Sequence, residues 1–347
     1  MAVYVCTPYV CTPAPPHLAV GRGVEPLRGA SSSSVSMDAA RALASHASRV
    51  SALARVHGRD RASSSAASSS SSSASSSAAS VLRQCAKHRR ATVMAASPYK
   101  AQDEISGRVV LVTGANRGIG LELCKLFLEK GNEVRAGCRV ESDELAALAR
   151  ASNGRLTVSH VDVGDERSIA EFAAGLKAAG VEHVDVVLNN AGVVGSDGYS
   201  KWDLQSTTQE EMIYVFKVNT CGPVLMVKYL NQLGLIGSGA ADGSETLVGN
   251  VTSKVGSIDD NGSGQGYAYR ASKSALNNCN RSMQIDLAPQ GVHFALLHPG
   301  WVRTGMTEGR GLIDARESAS GLIRVLEGAF GDCEHHWFDY KGDAIPW

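Results

Sequence analysis

From residue 107 onward the apolar residues fall into two alternating kinds of run. Short blocks rich in Val, Leu and Ile, at Val109 to Val112, Glu133 to Cys138, Leu156 to Val161, Val184 to Leu188, Thr246 to Val251, Val292 to Leu297 and Trp337 to Tyr340, have the length and composition of strands. Between them lie longer stretches with an apolar residue every three or four positions. Those at Leu121 to Lys130, Glu141 to Ala151, Glu166 to Ala179, Gln209 to Leu233 and Glu317 to Gly328 read as helices, and a further helix carries Tyr269 and Lys273. Thr207 and Glu210 have capping-box spacing ahead of the fourth helix, and Gly234 to Gly243 reads as a glycine-rich loop. Such alternation implies parallel strands joined by right-handed crossovers. The expected fold is therefore α/β, a doubly wound parallel sheet of Rossmann type in a single domain.

The first part of the chain has a different character. Ser31 to Ser80 is mostly Ser and Ala with scattered Arg, a composition unable to bury enough apolar surface to offset chain entropy, so a disordered leader is expected. Residues 1–100 hold 12 Lys/Arg against 3 Asp/Glu, which leaves the rest of the chain net acidic and without a basic surface for nucleic acid. An Arg- and Ser-rich, acid-poor leader has the composition of an organelle transit peptide, and Val93-Met94-Ala95-Ala96 resembles a plastid processing site. The expected layout is a leader over 1–95, a linker over 96–106 and the folded domain over 107–347. The expected destination is the chloroplast, with the mitochondrion as alternative; an uncleaved flexible tail is the other reading. No apolar run reaches the ~20 residues that cross a bilayer. Eight cysteines show neither a C-x-x-C pair nor zinc-ligand spacing, and His335 and His336 lack a third ligand, so no metal is expected.

The chemistry concentrates at strand ends. Thr113-Gly114-Ala115-Asn116-Arg117-Gly118-Ile119-Gly120 joins the first strand to the first helix, and its glycines let the chain turn sharply while the helix aims free N–H groups at an anion. A dinucleotide site selective for an unphosphorylated ribose places Asp or Glu after the second strand; here Cys138 and Arg139 stand there. Arg139, helped by Arg117, can pair with a 2′-phosphate and favours NADP(H); the alternative is that both are solvated surface charges. Tyr269 and Lys273 are four apart, on one face of a helix, after the strand at Thr246 to Val251 and the Ser253 that follows it.

The Thr-Gly-x-x-x-Gly-x-Gly turn, the Asn189-Asn190-Ala191-Gly192 run, Ser253 and the Tyr269/Lys273 pair resemble the short-chain dehydrogenases/reductases. Tyr-Arg-Ala-Ser-Lys, Leu-His-Pro-Gly-Trp-Val-Arg-Thr and Phe-Asp-Tyr near the end are most similar to the carbonyl-reductase branch that includes C-factor and sniffer-type proteins. The resemblance implies a catalytic set of Asn219, Ser253, Tyr269 and Lys273. Tyr269 is then the proton donor, its phenol lowered by the Lys273 ammonium and oxidised nicotinamide, and Ser253 holds the substrate oxygen. Lys273 also binds the nicotinamide ribose, and Asn219, shortly before Gly222, holds the water of a proton relay. It further implies a cofactor site built from Gly114, Asn116, Arg117, Gly118, Ile119, Gly120 and Arg139 around the phosphates, and Asp162 with Val163 at the adenine. Asn189, Asn190, Ala191 and Gly192 line its path, and Pro299, Gly300, Val302 and Thr304 receive the carboxamide. Asp162 is alternatively a cap for the helix beginning near Asp165, and His298 reads as a structural residue.

The function this implies is NADP(H)-dependent reduction of an aldehyde, ketone or quinone, with a small-molecule carbonyl substrate, no nucleic-acid or membrane partner, and a homo-oligomer as an option. Its rival is a dinucleotide-binding regulator or scaffold without turnover. A sugar-nucleotide epimerase needs a larger C-terminal domain than the short stretch after Thr304 supplies. Gly195 to Trp202 and Gly305 to Asp314 are expected to line the substrate site.

Overall fold

The computed structural model describes residues 104–238, 245–328 and 337–347. The expected leader, its processing site and most of the linker lie outside the described residues, as do the end of the glycine-rich loop and the segment with Cys333, His335 and His336. Seven strands form one sheet: β1 (Val109–Thr113), β2 (Glu133–Cys138), β3 (Leu156–His160), β4 (Val186–Asn189), β5 (Thr246–Val251), β6 (Val292–His298) and β7 (Trp337–Asp339). The helices are α1 (Gly118–Glu129), α2 (Asp143–Ala151), α3 (Glu166–Ala178), α4 (Gln209–Phe216), α5 (Gly222–Gln232), α6 (Tyr267–Leu287) and α7 (Ala315–Gly328). The strand order is β3-β2-β1-β4-β5-β6-β7, and every pairing is parallel. Strand order reverses between β1 and β4, and ligands of doubly wound sheets bind at the carboxyl ends beside such a reversal.

The apolar blocks are buried on both faces. In β1, Val110 and Val112 join a core with Phe127 of α1 and Leu326 of α7, while Leu111 faces the opposite core with Phe172 of α3, Leu230 of α5 and Met283 of α6. β4 repeats the pattern, with Val186 and Leu188 on the first side and Val187 on the second. Side chains alternate along a strand, so a sheet covered on both faces needs apolar residues at every position. Burial of each Leu, Val or Phe contributes ~1.5–3 kcal/mol, and this is what fixes the strand ends in place.

Two local expectations need correction. The helix expected over Gln209 to Leu233 is two helices divided by a π turn, Lys217–Cys221. The Gly222 N–H reaches back to the Lys217 carbonyl, and Pro223 has no N–H with which to continue the α ladder. The cap of α4 is Thr208, which accepts from the Glu211 N–H at 3.2 Å; the Thr207 hydroxyl instead donates to the Asp203 carbonyl at 2.8 Å. No capping box forms, because the Glu211 carboxylate is engaged by the loop before α4. Among the described residues no helix is long and apolar enough to cross a membrane.

Candidate active site

The turn after β1 is held by its neighbours before any ligand is considered. Its Ala115 N–H donates to the Gly137 carbonyl at 3.2 Å, and the Asn116 carbonyl accepts from the Ser142 hydroxyl at 2.7 Å. Gly114 has φ +66°, and a Cβ there would lie 2.9 Å from the Ala191 Cα. A Cβ on Gly120 would lie 2.6 Å from the Asn190 amide nitrogen. Both glycines are therefore required by packing of the chain against itself, whereas the sequence suggests room for phosphate at each. Gly118, at φ +56°, begins α1, and Ile119 packs half-buried against the core. The N-terminus of α1 has no side-chain cap and no acidic residue in its first turn, so its N–H groups and dipole are left to face an anion. Arg117 and Arg139 are both exposed, and among the described residues neither has an ion-pair partner. An uncapped, acid-free helix end with two free guanidinium groups fits a phosphorylated dinucleotide.

The Asn-Asn-Ala-Gly run serves as a brace. Asn190 donates its amide to the Thr113 carbonyl at 2.9 Å, and the Thr113 hydroxyl accepts from the Asn190 and Ala191 N–H groups at 3.1 Å. Asn189 is 2% exposed and donates to Asn250 at 2.8 Å, which donates in turn to Asn280 at 2.8 Å. The Asn189 side chain thus joins a buried amide chain linking β4, β5 and α6. Asp162 does not cap α3, which Asp165 caps; its carboxylate accepts from the Gly164 N–H at 2.9 Å. Val163 is buried, and its carbonyl lies 2.6 Å from where a Cβ on Gly222 would stand, so the glycine after the π turn lets α5 pack onto the β3 end.

Asn219, Ser253, Tyr269 and Lys273 come together at the ends of β4 and β5. The Asn219 side chain is fully buried and spent on protein, on the Val193 main chain and the Ser272 hydroxyl. A Cβ on Gly192 would lie 3.3 Å from the Asn219 oxygen and 3.7 Å from the Lys273 ammonium nitrogen, which places the three residues together. Lys273 is 3% exposed and donates to the Val251 carbonyl at 2.8 Å; its nitrogen is 5.8 Å from the Tyr269 ring centre. Burial pulls the Lys273 ammonium down to about 7. Burial pushes the Tyr269 phenol up to about 12, opposed by hydrogen bonding with the Ser253 hydroxyl, while Tyr199 adds to the rise. In the protein alone, loss of water dominates the Tyr269 phenol and outweighs the hydrogen bond with Ser253. Thr252, beside Ser253, points away and donates to Asn277 at 2.7 Å.

The Pro-Gly segment folds over the front of the sheet. The Pro299 carbonyl accepts from Ser318 at 2.6 Å, and Gly300 takes φ +81°, since a Cβ there would press on Ile313 and Tyr340. Val302 is buried and its carbonyl accepts the Thr307 hydroxyl at 2.6 Å. Thr304 stands across from the glycine turn, its methyl 3.3 Å from where a Cβ on Gly118 would lie, so the segment expected at the carboxamide meets the turn expected at the phosphates. His298 accepts the Lys254 N–H on Nδ1 at 3.2 Å, and burial pulls its ring down to about 4, which makes it a neutral structural residue. Beside Tyr269 opens a cleft of about 400 Å³ lined by Tyr199, Trp202, Trp301, Thr307 and Arg310. Both segments expected to line the substrate site contribute; Trp301 and Glu211, which anchors the 195–201 loop, were missed. Trp301 lies inside the segment expected to receive the carboxamide, and Glu211 carries no sequence signal beyond its charge.

A doubly wound sheet with an acid-free glycine turn, and with a serine, a tyrosine and a lysine gathered at its carboxyl edge, defines a nucleotide-dependent oxidoreductase scaffold. Residues 108–312 match the short chain dehydrogenase family, and the chain belongs to it. It is similar to C-signal of Myxococcus xanthus, 38% identical over 47% of this chain and 93% of that one. Among solved structures it resembles an NADPH-bound carbonyl reductase from chicken fatty liver, at TM-score 0.61 and 28% identity, covering 70% of this chain and all of the other. The carbonyl reductase Sniffer of D. melanogaster aligns at TM-score 0.62 and 25% identity, over 70% of this chain and 100% of that one.

Proposed function

We propose that the protein is an NADP(H)-dependent reductase that converts an aldehyde, ketone or quinone to the alcohol. The reading is carried by the convergence of Ser253, Tyr269, Lys273 and Asn219 beside Gly192, next to an uncapped helix end flanked by Arg117 and Arg139. The bound relatives point to the same cofactor, since the chicken carbonyl reductase holds NADPH and a Burkholderia multivorans homologue of 29% identity and TM-score 0.61 holds NADP. Gly118, the start of α1, Arg117 and Arg139 would hold the phosphates, and the Pro299 to Thr304 segment the nicotinamide end. When bound, such a dinucleotide supplies the hydride.

The chain's own groups manage the proton. With its phenol held near 12, Tyr269 stays protonated at neutral pH, the form needed to donate to a carbonyl oxygen. Ser253 stabilises that oxygen as negative charge develops on it. Lys273, at about 7, is poised to exchange a proton under ordinary conditions, so it can restore the phenol after each turnover. Asn219 positions the Val193 loop and Ser272 around this set.

The test is NADPH oxidation by the purified protein across a carbonyl panel, with Tyr269→Phe as control. Loss of turnover in the variant with retained NADPH binding is expected; a fully active variant overturns the mechanism, and NADPH binding without turnover on any carbonyl favours a scaffold. The composition of residues 1–95 supports delivery to the chloroplast, with the mitochondrion as alternative, and imaging of that segment fused to a fluorescent protein decides between them.

A further inference from the structure

The cleft beside Tyr269 carries more specificity than reduction of a generic carbonyl requires. Its walls are aromatic. Trp202 sits 6.2 Å from Tyr269, and Tyr199 meets Trp202 edge-on at 4.9 Å between ring centres. Trp202 is wedged in place: Gly266, at φ +61°, donates its N–H to the Trp202 carbonyl at 2.6 Å, and a Cβ on Gly266 would lie 2.5 Å from the indole. Trp301 completes the walls. Beyond the Tyr199 ring stands one cation, Arg310, its guanidinium carbon 5.6 Å from the ring centre. Among the lining residues there is no carboxylate, and the Thr307 hydroxyl is already committed to the Val302 carbonyl.

Arg310 is held by Glu308 at 2.8 Å, with side chains 59% and 60% exposed. Exposed pairs of this kind hold weakly. Glu308 also sits at φ +53°, a left-handed conformation unfavourable for a glutamate. A ligand carboxylate can accept two parallel hydrogen bonds from the guanidinium while its ring stacks on the aromatic wall, and so can displace Glu308.

Resting on the reductase reading, we propose that the substrate is a flat aromatic or conjugated carbonyl compound carrying a remote acidic group, and that Arg310 selects for that group. The test uses the purified protein with NADPH and matched pairs: 4-formylbenzoate and the longer 4-formylcinnamate, each against its methyl ester. The acid is expected to be preferred in kcat/KM in at least one pair, and Arg310→Gln is expected to lower the acid-to-ester ratio about tenfold. Glu308→Gln should move the ratio the other way, a result that damage to the fold would not produce. Raised ionic strength should increase KM for the acid and not for the ester. Preference for the esters, or a ratio unmoved by Arg310→Gln, overturns the proposal. Turnover of other carbonyls with neither pair accepted also overturns it and spares the reductase reading, whereas no turnover of any carbonyl sinks the reductase reading itself.

Discussion

Asn219 grips the main chain of Val193 on both sides, accepting its N–H at 2.9 Å and donating to its carbonyl at 2.8 Å. The same amide donates to Ser272 at 3.0 Å, and the neighbouring Thr220 hydroxyl donates to the Ser272 carbonyl at 2.8 Å. One buried side chain thus clamps the loop after β4 to the helix that bears Tyr269 and Lys273, at the point where a π turn interrupts the backbone ladder.

Removing that amide should cost stability and rate together. Asn219→Ala leaves the Val193 N–H and carbonyl without these partners in a part-buried setting, and each such loss costs ~1–3 kcal/mol where water does not replace the partner. A lower urea midpoint and a reduced kcat are expected. Asn219→Asp should not rescue either, because its carboxylate would face the Val193 carbonyl. A variant with wild-type stability and kcat would show that the clamp does not position the site.

Lys273 should be a source of instability that the site tolerates for its chemistry. Its folded value is about 7 against 10.5 when exposed, so between those values the unfolded chain binds the extra proton and stability rises with pH. Below about 7 the full penalty is present. Lys273→Met should therefore abolish turnover yet unfold at a higher temperature than wild type near neutral pH, by an amount that shrinks as pH approaches 10.5. Thermal unfolding of both proteins across that range checks the sign.

Much of the fold was legible because strands buried on two faces, such as Val109–Thr113, leave unbroken apolar runs, and the glycine turn and the Tyr269/Lys273 spacing are local patterns. The close approach of Gly222 to Val163, which joins α5 to a distant strand end, was not legible. Residue roles were harder still. Asn189 looks like a cofactor contact in sequence, yet its partner Asn250 is 61 positions away, and only the pairing of β4 with β5 brings the two amides together. Burial, which raises the Tyr269 phenol, cannot be read from sequence, whereas the lysine four positions on can.

Cofactor preference should be concentrated in two exposed side chains. Arg139 follows the buried Cys138 at the end of β2, and Arg117 begins the turn into α1; both are free of acidic partners among the described residues. A hydrogen bond to a charged group contributes ~1.5–3 kcal/mol, so Arg139→Ala should raise KM for NADPH by about tenfold or more and leave KM for NADH nearly unchanged. Parallel titrations with the two cofactors would show this, and equal losses for both would assign Arg139 to the surface.

Glu211 should control the substrate side without touching the cofactor side. Its carboxylate is 4% exposed and accepts from the Ser196 N–H at 2.7 Å, the Ser196 hydroxyl at 2.6 Å and Lys201 at 3.3 Å. Burial pushes the group up, but these donors outweigh it and hold it below the usual glutamate value. The sign follows: the stabilisation is present above the ordinary value of 4.5 and is lost as pH falls through the lower folded one. The loop so anchored carries Tyr199 and Trp202, two walls of the cleft. Glu211→Gln keeps the shape but turns an amide N–H₂ toward the Lys201 ammonium or the Ser196 N–H, so the loop loosens. KM for carbonyl substrates should rise several-fold with little change in KM for NADPH, and the acid limb of the stability curve should flatten. A uniform fall in kcat with both KM values unchanged would instead place the effect of Glu211 on the catalytic groups.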